Sequence, residues 1–192
     1  MKPELFLPTV VRPGLLALSE AVGPQVDTPE AEVMLLAIAA QESALRHRQQ
    51  INGPARGFWQ FEKMGGLNGV LTHARTGPLA ARFVEGIGLK VDLHALWDVL
   101  PFSELLQVGL ARLLLWSDNN PLPPVGAKDR AWDYYLRNWR PGKPHRGRWD
   151  AAYDGAVELV RLEPLPETLR CDATTVLDRI ESLCRDLRSA LP

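Results

Sequence analysis

The stretch "TPEAEVMLLAIAAQESALR", residues 28–46, constrains the fold more than any other part of the chain. Its apolar residues recur at helical spacing, and Leu35, Ile38, Ala39, Glu42 and Leu45 share one face. Thr28 followed by Pro29 and Glu30 is an N-terminal helix signature, so the pattern predicts a helix from Thr28 to about Arg46. The other segments read the same way. "PGLLALSEAVG" gives a short helix beginning at Pro13 and ended by Gly23, and "SELLQVGLARLLLW" gives a longer one capped by Ser103. Short helices are expected near 66–73, 78–86 and 91–99, and further ones at 127–138 and 147–161, with a break at "NNPLPPVG". No segment alternates apolar and polar residues as a half-buried strand does. The expected fold is mainly α, with a small β or turn element in the glycine-bearing return over 47–62.

Composition narrows the class. Of 192 residues, 46% are hydrophobic and 23% charged, with a formal net charge of -1, an ordinary globular profile. That balance gives no global reason to bind nucleic acid. The N-terminal "MKPELFLPTVVRPG" is interrupted by Glu4, Pro8 and Arg12, which makes a poor signal peptide. No uncharged apolar run approaches the roughly 20 residues of a membrane span. The expectation is synthesis in the cytoplasm without a signal peptide. After the linker-like "LEPLPETL", the tail carries Leu177, Ile180, Cys184, Leu187 and Leu191 on one helical stripe. The expected organisation is therefore a domain over 1–163 and a linker with an amphipathic helix over 164–192. Cys171 and Cys184 read as free thiols.

Glu42 sits at the end of an apolar stripe, one turn before its helix stops. Burial and the negative end of the helix dipole both raise a carboxyl pKa, and a glutamic acid protonated near neutral pH can protonate a leaving oxygen. A glutamate in this register can equally turn to solvent or pair with Arg46 at i+4.

The residues around and after Glu42 bear on that choice. Gln41-Glu42-Ser43 at the helix end, the turn "GPARG", and Gly57-Phe58-Trp59-Gln60, with the glutamine 18 positions after the glutamate, resemble the signature of soluble lytic transglycosylases and their lysozyme-like relatives. The resemblance implies an α+β lysozyme-like fold that cleaves the glycan strand of peptidoglycan. It casts Glu42 as the single catalytic acid and then base, acting between N-acetylmuramic acid and N-acetylglucosamine and leaving a 1,6-anhydro ring. Ser43, Gly57 and Gln60 would line the saccharide groove. Trp59 stands where the family usually has methionine, either as a sugar platform or as a core residue. The family's later tyrosine motif has only a loose counterpart in "AWDYYLRNWRPG". This offers Tyr134 or Tyr135, the latter favoured, together with Asn138.

A second carboxylate opposite Glu42 would activate water and give hydrolysis instead; Glu62, Asp118 and Asp133 are candidates. "RNWRPGKPHRGRW" interleaves Arg137, Arg140, Lys143, Arg146 and Arg148 with Trp139 and Trp149. It could bind single-stranded nucleic acid, but an anionic wall polymer fits the balanced charge better. His47, His73, His94 and His145 lack metal-ligand spacing, and no phosphate-loop pattern occurs, so neither a metal nor a cofactor is expected. The whole resembles a phage product that acts on the cell wall, carried in a virion or released through a holin, whose tail helix contacts virion proteins. The competing expectation is an inactive lysozyme-like adaptor in a phage particle.

Overall fold

Helix α3, Pro29–Ser43, runs through the middle of the domain, with every residue from Ala31 to Ala39 buried. The structure, a computed structural model, describes residues 1–162. The 163/164 boundary, both cysteines and the tail stripe lie outside them. Thr28 caps α3 as its sequence predicts, its Oγ1 accepting the Ala31 N–H at 3.2 Å. The helix stops at Ser43 rather than Arg46. Ala44 and Leu45 both adopt left-handed conformations, with φ of 51° and 54°, and the Ala44 N–H returns to the Ala40 carbonyl.

Around α3 lie α1 (Pro3–Phe6), α2 (Arg12–Val22), α4 (Asn68–Thr72), α5 (Gly77–Gly86), α6 (Leu93–Val99), α7 (Glu104–Trp116), α8 (Lys128–Trp139) and α9 (Arg146–Leu162). The chain is mainly α, and the described residues contain no named strand. The small β element expected over 47–62 reduces to two isolated antiparallel bridges, Gln49 with Arg56 and Arg56 with Phe61. Glycine and proline keep this return short, so no ladder propagates.

The N-terminal helix is longer than its sequence suggests. Pro8 lacks an N–H and its ring crowds the preceding turn. The chain answers with one π turn, Leu7–Val11, in which the Arg12 N–H reaches the Leu7 carbonyl, so helix runs on from Pro3 to Val22. That helix is long and apolar enough to cross a membrane by length and composition alone. Here its apolar side supplies Phe6, Leu7, Val11, Leu15 and Leu18 to the core, each fully buried, and Arg12 pairs with Glu32 at 2.9 Å. Each such side chain contributes about 1.5–3 kcal/mol by leaving water. A Cβ at Gly14 would lie 2.4 Å from the Val108 Cβ, so only glycine lets α2 approach α7 this closely.

Candidate active site

Glu42 lies half-buried in the last turn of α3 and faces a groove of about 1050 Å³. The Tyr135 hydroxyl, from α8, donates to its Oε1 at 2.5 Å. Burial pushes the Glu42 carboxyl above its ordinary value; the Tyr135 hydrogen bond and the positive charge of Arg148 pull the other way without cancelling it. Tyr135 is itself held firmly. It is buried, stacks on Trp149 with centroids 4.9 Å apart and packs on Trp132 at 5.4 Å. Its burial, then the neighbouring carboxylate, raise its pKa, so it remains a donor. Glu42 makes no ion pair with the exposed Arg46. The two left-handed residues directly after Ser43 place backbone strain beside this carboxyl, where strained conformations of non-glycine residues tend to gather.

Gln60, Glu62, Asn138 and Trp139 line the same groove. Gln60 adopts φ 49° and its Nε2 donates to the Gly57 carbonyl at 2.7 Å. Asn138 is committed to protein partners, donating to Asp118 Oδ2 at 2.9 Å and to the Tyr134 carbonyl at 2.8 Å. Phe61 and Trp139 pack against one another at 6.1 Å, and both border the groove.

Four of the expected groove residues lie elsewhere. Ser43 is buried and its hydroxyl turns back to the Ala39 carbonyl at 2.9 Å, one helical turn earlier. Trp59 is 0% exposed, with its Nε1 donating to the Leu35 carbonyl at 3.0 Å, so it is a core residue and no sugar platform. Tyr134 points away, its hydroxyl donating to the Leu115 carbonyl at 2.7 Å, and borders a second cleft with Arg112 and Asp118. Gly57 serves the fold: its φ is +78° and a Cβ would stand 2.9 Å from the Gln107 amide. That buried Gln107 accepts the Phe58 N–H at 2.7 Å and donates to the Leu100 carbonyl at 2.7 Å, fixing the return loop to α7. A lone glutamine inside the apolar run of α7 was its only trace in the sequence.

Neither a protein-family model, a curated protein nor a solved structure matches the chain. Of the three further carboxylates, Glu62 alone is a groove residue, and it is exposed. Burial works to raise the Asp118 pKa, but hydrogen bonds from Asn120, Asn138 and Arg137 hold it down at about 2, which makes it a poor base. Asp133 is exposed on α8 and does not border the groove. Among the basic residues, Arg137, Arg140, Lys143 and Arg148 border the groove; Arg137 is tied to Asp118, and Arg146 to Asp129 and Asp150. Trp149 is buried against Tyr135 and Tyr153. Among the described residues no three His, Cys, Asp or Glu side chains converge as metal ligands.

Proposed function

We propose that this chain has a lysozyme-like fold and cleaves the peptidoglycan glycan strand between N-acetylmuramic acid and N-acetylglucosamine, with Glu42 as general acid and then base. The observation that supports this best is a groove-facing glutamic acid whose burial raises its pKa and whose carboxyl accepts a hydrogen bond from a fixed tyrosine. Glu42 begins neutral and gives its proton to the glycosidic oxygen as the bond from that oxygen to C1 breaks. The resulting carboxylate is stabilised by the Tyr135 hydroxyl and by the charge of Arg148. It then takes the proton of the sugar's 6-hydroxyl as that oxygen bonds C1, which closes the anhydro ring and restores the acid. A half-buried carboxyl turned to a groove and held by a fixed tyrosine favours an enzyme over an inactive adaptor of a phage particle. The route to the wall, in a virion or through a holin, belongs to the same proposal.

Hydrolysis is the second reading, because Glu62 shares the groove. Purified wall digested by the protein and by Glu62→Gln separates the two. Ring closure predicts anhydro-ended fragments by mass and lysis largely unaffected by the substitution. Reducing ends, with lysis falling by at least about 100-fold, would make Glu62 the base that activates water.

Tyr135→Phe should lower the lytic rate by about 10- to 100-fold, because a hydrogen bond to a charged group is lost when the carboxylate forms. Tyr135 holds the Glu42 pKa down, so its loss moves that pKa further up. The alkaline limb of the rate profile should then shift to higher pH. A shift to lower pH would mean that Tyr135 acts on a different group.

A further inference from the structure

Gln41, the residue before Glu42, hydrogen-bonds Tyr135, is 4% exposed and borders the groove. Its Nε2 donates to the His145 carbonyl at 3.3 Å, while its Oε1 is buried and receives no hydrogen bond from a described residue. An acceptor left in that state is costly, and a further donor there would relieve it; the neighbouring Trp149 Nε1 is likewise buried without a partner among the described residues. Beside it stand three cations that form no ion pair among the described residues, although the charge of Arg148 also acts on Glu42. Among the described residues Arg148 hydrogen-bonds the Gln41 backbone carbonyl, at 3.4 Å, and Arg140 the Arg137 carbonyl, at 3.4 Å. Neither they nor Lys143 pair with a described carboxylate, although Arg137 and Arg146 on the same stretch do. All three are exposed at the groove. A buried acceptor beside exposed positive charge suits an N-acylated amino acid, which carries an amide N–H and a carboxylate close together.

We propose that Gln41, Arg140, Lys143 and Arg148 form a subsite for the acidic peptide stem of the glycan strand, Gln41 Oε1 accepting a stem amide N–H and the three cations taking its carboxylates. This rests on the proposed function for the identity of the strand, but not for the chemistry of the subsite. Nucleic acid fits less well. Of the two tryptophans interleaved with the basic residues, Trp149 is fully buried, which leaves Trp139 alone at the groove as a platform on which a base could stack.

The test uses N-acetylmuramyl-alanyl-glutamate, titrated calorimetrically into the full chain, and the same compound with its carboxylates converted to carboxamides. The acid form should bind about tenfold more tightly, as expected for a carboxylate hydrogen-bonded to cations, with the preference shrinking as salt is raised. Arg140→Gln/Lys143→Gln/Arg148→Gln should bind both forms as weakly as the native protein binds the amide. Equal affinities in the native protein, absence of binding to either form, or a preference that survives in the triple variant would overturn the subsite. So would tighter binding of a single-stranded oligonucleotide at the same salt. The compound has no glycosidic bond to cut, so binding is read apart from cleavage. Intact wall lysis without the preference removes the subsite alone, and the preference without lysis removes the proposed function alone.

Discussion

Trp59→Ala should destabilise the protein by about 3–5 kcal/mol, the range for truncating a buried aromatic side chain. Trp59 is fully buried and packs on Phe6 with centroids 5.7 Å apart. The substitution also removes the bond from its Nε1 to the Leu35 carbonyl in the middle of α3. Set against a total stability of about 5–15 kcal/mol for a typical domain, the loss is severe. At this chain length it lowers the melting temperature by roughly 6 to 20 °C. Urea unfolding and lytic rate measured on one preparation decide the matter. Lysis lost with stability unchanged would restore Trp59 to the groove as a sugar platform, against its present place in the core.

Helix starts were the most legible part of the fold, because a capping side chain acts within a few residues of itself. Thr28 and Ser103 each cap the helix their sequence marks, Ser103 Oγ accepting the Leu106 N–H at 3.3 Å. Continuity across Pro8 was not legible. Whether a proline breaks a helix or is absorbed by a π turn depends on what the flanking residues bury, and here Phe6, Leu7, Val10 and Val11 hold the segment in the core. Periodicity also understated α3, which reads as a helix with one apolar face but is buried on all sides along its middle.

At the site, the sequence placed Glu42 correctly at a helix end and preferred Tyr135 to its neighbour. The tyrosine pair shows where spacing fails. Tyr134 and Tyr135 lie about 100° apart around α8, so one meets Glu42 while the other bonds to the Leu115 carbonyl behind it. Ser43 turned inward because a serine in a last helical turn can satisfy its hydroxyl on the carbonyl four residues back, a choice that no motif records. Arg148 and Gln41 stood in plain view but were unremarkable. What distinguishes them, a cation with no ion pair and a buried acceptor with no donor among the described residues, is a property of the surroundings rather than of residue type.

Whether Glu42 delivers a proton is decided by Glu42→Gln, with lytic rate and melting temperature measured on the same preparation. Glutamine keeps the size of the side chain and can still accept the Tyr135 hydrogen bond, but it has no proton to give at neutral pH. General acid–base help contributes about 100- to 10,000-fold, so lysis should fall at least that far. The stability effect is set by the direction of the pKa shift. A carboxyl whose folded pKa is raised contributes stability below its unfolded pKa and loses that contribution as pH rises through the folded value. Glu42→Gln should therefore melt at the same or a slightly higher temperature at neutral pH, with the two proteins converging in acid. Lysis retained at the native rate, or a clear loss of stability at neutral pH, would contradict the account and leave Glu42 a structural residue.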